Sequence, residues 1–288
     1  MSQLAQPDIQ SRRVPPAKRA MRAVWRFLPR CKLSYDAGKL ITRSVLRPEK
    51  QPLRVAISFG GRIPMRLDLA SFVANDLYCF DDHYESVTLR LWRRLARDAR
   101  VILDIGSHIG TFALVAADTN PNARVIAVEA DPANFAQLRA HSIAYHGVVA
   151  VHAAVADRAG QMWFCSGSEN DGAGRLCTEQ QATGNCVPIQ TCTLTELCRQ
   201  QHLVEVDLIK LDVEGFEHKL LVADSEFWEE FAPAHVIVEL ARDKAMPEQA
   251  GEVVRAMQRR GYTACRIQGL YAIPFGKPID LANWHFFR

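Results

Sequence analysis

The sequence predicts a doubly wound α/β fold, and three observations carry that prediction. From about position 101 onward, short runs rich in Val, Ile and Leu alternate with helical patterns at short intervals. The runs are near-continuously apolar, as strands of a parallel sheet covered on both faces are. The first of them closes in Asp104-Ile-Gly106-Ser-His108-Ile-Gly110, a turn that opens a helix. Composition agrees: 288 residues, 48% hydrophobic and 23% charged, exclude collagenous, disordered and disulfide-scaffold classes. No window approaches about 18 uninterrupted apolar residues, so no spanning helix is expected. The first 30 residues carry Arg and Lys throughout and no apolar stretch of the signal-peptide kind, so no secretory leader is expected either.

Taken in order, residues 1–53 read as a basic N-terminal extension, partly helical or disordered. Through Arg54 there are 13 Lys and Arg against three acidic residues, whereas the remaining chain is mildly acidic. Met21, Val24, Trp25 and Leu28 recur at i, i+3, i+4 and i+7, with Arg19, Arg22, Arg26 and Arg30 elsewhere, which is amphipathic helix spacing. Such a helix can lie on an anionic membrane surface or simply pack on the body with its arginines solvated. Residues 54–288 read as the main domain. It opens with a hairpin, strands 54–59 and 62–67 around Gly60-Gly61, and a helix over 85–97 with Val87, Leu91 and Leu95 on one side. Strands follow at 101–105, 124–129, 148–155, 206–211, 236–240 and 262–267, and helices at about 109–118, 132–145, 216–231 and 248–260. Between Asp157 and Thr193 the helical pattern fails, and an insertion is read at 158–190. Met162-Trp-Phe-Cys and Val187-Pro-Ile-Gln-Thr-Cys read as an inserted pair of strands, with a mobile polar loop from Ser166 to Gly174 between them. The eight cysteines contain no C-x-x-C and no zinc-finger spacing, so free thiols in a reducing cytoplasm are expected.

Open α/β sheets bind ligands at the carboxyl ends of their strands. There, Gly106 and Gly110 allow a tight turn and close approach of a ligand, and the helix that follows favours a negative group at its N-terminus. The next strand ends in Glu129, placed to accept hydrogen bonds from both ribose hydroxyls of a nucleoside. A dinucleotide site needs G-x-G-x-x-G, but the middle glycine position is His108 and the last is Thr111. S-adenosylmethionine (SAM) has no phosphates, and its ammonium can be held by Asp104, so the pattern favours SAM over NAD. Further on, Lys210, Asp212 and Glu214 alternate onto one face of a strand, and Glu239 ends the neighbouring strand. Charges so placed emerge in the cleft, where they hold and deprotonate a hydroxyl, bind a divalent metal through Asp212 and Glu239, or form a structural ion-pair network. His108 is a second base candidate.

The series Val101-Ile-Leu-Asp-Ile-Gly-Ser-His-Ile-Gly-Thr, Val125-Ile-Ala-Val-Glu-Ala-Asp-Pro, Ala153-Ala-Val-Ala-Asp157, Lys210-Leu-Asp-Val-Glu-Gly-Phe-Glu217 and Ile237-Val-Glu239 resembles the FkbM-type SAM-dependent methyltransferases. The resemblance covers roughly residues 84–241, and the K-x-D-V-E-G-x-E block is its most specific part. It implies a class I Rossmann-like methyltransferase fold and transfer to a hydroxyl oxygen, often on a sugar or a polyketide-like natural product. On that basis Asp104, Gly106, His108 and Gly110 line the methionine end, Glu129 the ribose and Asp157 the adenine side. Lys210, Asp212, Glu214 and Glu239 face the acceptor. The family commonly has Asn where this chain has His108 and Pro where it has Ala130. A catalytically silent SAM-binding scaffold and an NAD-dependent oxidoreductase are the rival readings. The turn after the fourth strand, Asp212-Val-Glu-Gly, is not the N/D-P-P-Y/F turn that holds a flipped base. A small-molecule or glycan acceptor is therefore expected and no nucleic acid, in a cytoplasmic protein whose basic arm can reach a membrane surface.

Overall fold

The computed structural model describes residues 14–25, 27, 41, 46–167, 174–213, 215–222, 225–240, 247–268, 271–274 and 282–288. Residues up to 85 build one compact unit and residues from 86 onward build the other, so the hairpin falls in the first.

The N-terminal unit contains α1 (Pro16–Trp25), the antiparallel pair β1 (Arg54–Phe59) and β2 (Ile63–Asp68), and α2 (Phe72–Phe80). Proline opens α1, where a missing N–H is no loss. The amphipathic helix exists, but it is seated differently from the spacing. Trp25 is buried edge-on against Phe80 at 5.1 Å, while Val24 is 55% and Phe27 90% exposed. Arg22, expected on the solvated face, donates to the Tyr78 carbonyl at 2.6 Å and to Asp81 at 2.7 Å. Lys18 is buried and paired with Glu49 at 2.9 Å. Carboxylates within the unit draw these cations inward, which a hydrophobicity pattern cannot register. Leu28, Arg26 and Arg30 lie outside the described residues. The hairpin is as expected, with Phe59 opposite Ile63 across the Gly60-Gly61 turn.

The second unit opens with α3 (Ser86–Ala96), β3 (Val101–Ile105), α4 (Thr111–Thr119), β4 (Arg124–Glu129), α5 (Pro132–Ser142) and β5 (Val148–His152). The strand expected to run through 155 breaks at Ala153, and β6 (Ala154–Val155) leaves for a second sheet with β7 (Gly160–Cys165), β8 (Arg175–Cys177) and β9 (Cys186–Cys192). Residues 168–173, within the expected mobile loop, lie outside the described residues. After α6 (Leu194–Gln200) comes β10 (Leu208–Leu211). Within the span expected as a helix over 216–231, the described residues form α7 (Glu217–Val222) and α8 (Ser225–Glu230), and 223–224 lie outside the described residues. Then follow β11 (His235–Leu240), α9 (Pro247–Arg259), β12 (Thr263–Gln268), β13 (Tyr271–Pro274) and β14 (Ala282–Phe287).

The main sheet runs β13-β12-β14-β11-β10-β3-β4-β5. The pairs β4–β5, β3–β4, β3–β10 and β10–β11 are parallel, and β14 is antiparallel to both neighbours, β11 and β12. Leu103, Ile105, Ile209, Leu211, Val236 and Val238 share one buried cluster with Trp228 and Phe286. This is the doubly wound, Rossmann-like sheet that the apolar strands predict. The cysteine expectation is corrected. Cys165 and Cys186, registered opposite each other on β7 and β9, form a disulfide, since antiparallel pairing brings together residues that spacing alone keeps apart. Among the described residues no helix is long and apolar enough to cross a membrane.

Candidate active site

From β3 the chain winds outward through β4 to β5, then returns to β10 on the other side of β3. The connections leaving the adjacent strands β3 and β10 therefore run to opposite sides of the sheet, the switch point at which open α/β sheets bind their ligands.

Register brings the first two charges together, for Asp104 pairs with Lys210 and their side chains share one face. Both are buried, at 0% and 3% exposure. Lys210 Nζ donates to Asp212 Oδ2 at 2.6 Å and sits 4.6 Å from the centre of the Phe112 ring. That ring is held edge-on by Trp92 at 5.7 Å, whose Nε1 donates to the Phe112 carbonyl at 2.8 Å. The expectation that these charges are inside the sheet only if paired is met for Lys210 and Asp212. Strand β10 stops at Leu211, so Asp212 stands just beyond it, 26% exposed, while Glu214 lies outside the described residues.

Asp104 is different. Among the described residues neither carboxylate oxygen has a hydrogen-bond partner, and Ser107 Oγ donates at 2.6 Å to the Asp104 backbone carbonyl. Burial pushes its pKa up to about 6 against the Lys210 ammonium and the nearby Ser107 hydroxyl and Ala113 amide, which approach the carboxylate without reaching hydrogen-bond geometry. A buried acceptor without a donor is costly, and a cationic N–H group arriving there relieves the cost. The donor set thus suits an ammonium such as that of SAM.

The turn is tied down by Gly106 and Ser107, whose amides both donate to the Val128 carbonyl at 3.0 and 2.9 Å. Gly106 has φ of +81°, and a Cβ there would overlap the backbone carbonyl of Asp212. A Cβ on Gly110 would lie 2.7 Å from Leu138 Cδ1. In the structure both glycines admit protein neighbours, the β10 loop and α5, so close packing is a reason for them apart from any ligand. His108 adopts φ of +51°, and its buried Nδ1 has no hydrogen-bond partner among the described residues. Burial lowers its pKa to about 4 against the raising fields of Asp212 and Asp131, so the ring is neutral at pH 7.

Glu129 ends β4 and is 7% exposed. Its Oε2 accepts from the His108 amide at 2.7 Å and its Oε1 from the Asp131 amide at 2.8 Å. Each oxygen keeps a free lone pair, so two hydroxyls can still be accepted. Burial raises its pKa to about 7 against the two amides. Asp131 caps α5, accepting from the Ala133 and Asn134 amides at 2.8 and 3.0 Å, and its other oxygen accepts from Ser166 Oγ at 2.8 Å. Sequence reasoning assigned neither residue to the site. An Asp-Pro pair opening a helix signals the cap; Ser166 arrives from another sheet and gives no local signal.

Glu217, also unassigned, accepts from the amides of Val213 and Gly215, both at 2.9 Å, and so folds the loop after Asp212. Burial raises its pKa. Asp157 is exposed on the loop after β6, 3.9 Å from Lys219 Nζ, rather than at the end of a main-sheet strand. Glu239 stands at the carboxyl end of β11, half-buried and registered with Asn283. Among the described residues, Asp212 and Glu239 do not belong to any three-ligand group of a size to hold a metal; the group that does so is Cys165, Cys177 and Cys186.

The methyltransferase FkbM domain profile matches residues 104–264, just over half of the chain. A relative, 31-O-demethyl-FK506 methyltransferase FkbM of Streptomyces tacrolimicus, is 28% identical over 199 residues, 58% of this chain and 74% of that one. Among solved structures, TYW2 of M. jannaschii in complex with AdoMet is 13% identical with a TM-score of 0.42, over 85% of this chain and 88% of the other. Fibrillarin of Aeropyrum pernix with natively bound S-adenosyl-L-methionine is 15% identical with a TM-score of 0.41, over 70% and 73%.

Proposed function

The chain belongs to the FkbM methyltransferase family and is a SAM-dependent methyltransferase, and we propose that it methylates a hydroxyl oxygen of a sugar or natural-product acceptor. The observation that carries the acceptor reading is the Lys210–Asp212 pair at the crevice, a carboxylate fixed through one oxygen by a buried ammonium. The Streptomyces tacrolimicus relative, named for an O-demethyl substrate, supports oxygen as the receiving atom.

When bound, SAM supplies an electrophilic methyl on a sulfonium. In this reading Asp104 holds the cofactor's ammonium and Glu129 its ribose hydroxyls through its two free lone pairs. Lys210 holds Asp212 by Oδ2, which leaves Oδ1 to orient the acceptor hydroxyl and take its proton. A carboxylate suffices to take that proton, because a hydroxyl turns strongly acidic as its oxygen is alkylated. His108, uncharged, lines the same turn without adding a positive charge beside the cationic cofactor. Orientation and proton removal supply the rate.

Incubation with SAM and a panel of sugars and polyketide-like alcohols, read by mass spectrometry with the methylated atom located by fragmentation, tests the reading. An O-methyl product is expected. Transfer only to nitrogen or carbon, or SAM binding with no turnover on any member of the panel, would sink it.

Two further outcomes follow from the assignment. Glu129→Ala is expected to weaken SAM binding by about 1.5 to 3 kcal/mol, since charge-assisted hydrogen bonds to the ribose are lost. Unchanged affinity by calorimetry removes Glu129 from the cofactor site. SAM affinity is also expected to rise with pH from about 5 to about 7.5, as Asp104 and then Glu129 ionise. In Asp104→Asn the portion of the rise centred near pH 6 disappears; a profile identical to that of the unmutated protein contradicts the ammonium assignment. The same shift has the opposite sense for the ligand-free fold. A carboxyl raised from 3.8 to about 6 contributes stability below pH 3.8, and that contribution is lost as pH rises through about 6.

A further inference from the structure

The inserted sheet carries a group of nucleophilic side chains that methyl transfer does not use. Cys165 on β7 and Cys186 on β9 are cross-strand partners joined as a disulfide. Cys177 on β8 pairs with Trp163, two residues along β7 from Cys165, so its side chain stands on the same face of the sheet. Its sulfur lies 3.0 Å from Cys165 Sγ, and the three sulfurs are all within 4.8 Å of one another. We propose that Cys165, Cys177 and Cys186 form a thiol–disulfide exchange site, one disulfide shared among three sulfurs, with Cys177 as the resident attacking thiol.

The exchange needs no oxidant. The Cys177 thiol loses its proton, its thiolate forms a bond to Cys165 Sγ, and the Cys165–Cys186 bond breaks with its electron pair leaving on Cys186, which takes up a proton, so that the net proton count is unchanged. One S–S bond forms and one breaks, and the oxidation level of the protein is unchanged. The two ends differ in access, and that difference gives the exchange a direction. Cys177 is buried, whereas Cys186 is half-buried between exposed Asn185 and Val187. Exchange therefore moves the disulfide inward and delivers a thiol to the surface at Cys186, where a soluble low-molecular-weight disulfide can react with it. Cys165 takes part in both disulfides and immediately precedes Ser166, whose hydroxyl is bonded to Asp131. The reaction is thus placed one residue from the candidate cofactor rim while leaving Cys165 anchored throughout.

The test uses the full chain equilibrated in a glutathione redox buffer, alkylated with iodoacetamide while folded, then acid-quenched and mapped by non-reducing peptide mass spectrometry. Two results are expected together. Cys186→Ser forms a Cys165–Cys177 disulfide, and Cys186 of the unmutated protein is alkylated, an adduct that Cys177→Ser loses. Free Cys165 and Cys177 thiols in Cys186→Ser overturn the proposal, as does a Cys186 that stays unalkylated in the unmutated protein. Stoichiometric zinc with no disulfide in the unmutated protein also overturns it, by making the cluster a thiolate metal site. The alkylation readout needs no substitution in β9, so a folding failure of Cys186→Ser leaves the proposal falsifiable.

Discussion

Gly106→Ala is expected to cost about 3 kcal/mol of stability or more, and to lower the melting temperature by on the order of 10 °C. Two penalties add at this position. A side chain at φ of +81° costs roughly 1 to 2 kcal/mol, because Cβ crowds the following carbonyl. The new methyl would also overlap the Asp212 backbone carbonyl, and backbone cannot swing aside as a side chain end can. Relief requires the β3–α4 turn and the β10 loop to part, which separates Asp104 from Lys210 and Asp212. SAM binding should therefore fall with stability. Gly261→Ala isolates the second penalty by carrying the first alone, since Gly261 has φ of +85° and a Cβ there would meet nothing within 4 Å. Differential scanning calorimetry of the two variants should show the larger loss at position 106. Equal losses would mean that the loops do not abut there.

Asp212→Asn is expected to lower kcat by roughly 100-fold or more while SAM affinity stays nearly unchanged. The amide keeps an acceptor for Lys210 but can no longer take a proton from the acceptor hydroxyl. The split between kcat and cofactor affinity is the discriminating readout. A metal held by the carboxylate would instead make the unmutated enzyme lose turnover to a chelator and regain it with an added divalent cation. A purely structural pair would show as a lowered melting temperature, because Lys210 is 3% exposed and an uncompensated buried charge costs several kcal/mol. Full activity with unchanged melting and no chelator effect would move the base elsewhere, with His108 next in line.

Much of the sheet was legible because parallel strands buried on both faces announce themselves as Val-Ile-Leu runs: Val101–Ile105 and Arg124–Glu129 have the expected bounds. The Asp104 turn and Glu129 were legible for the same local reason, since strand, turn and helix follow one another in sequence. What escaped was decided by contacts distant along the chain. Helix Phe72–Phe80 is apolar nearly all round and so shows no period. Helix Leu194–Gln200 is only two turns long, although the Thr193 and Glu196 capping box marks its start. The disulfide joins two strands and the Ser166–Asp131 bond joins the loop after β7 to the cap of α5, and no local pattern encodes such pairings. The strand Ala282–Phe287 is too short for its alternation of Asn283 and His285 with Trp284 and Phe286 to stand out from the residues before it.

That strand has a consequence for the order in which the chain can fold. β14 lies between β11 and β12 although it follows both in sequence. Until it arrives, β11 presents an unpaired edge and β12 has no neighbour to bind on that side. Hydrogen bonding of β12, and of the β13 strand beyond it, to the rest of the sheet therefore waits on a segment translated later, so this half of the sheet cannot zip up in step with synthesis. During that interval the open β11 edge is a template for pairing with other chains, and the exposure ends only when β14 is captured. The β5 side of the sheet, assembled from consecutive βα units, carries no such delay.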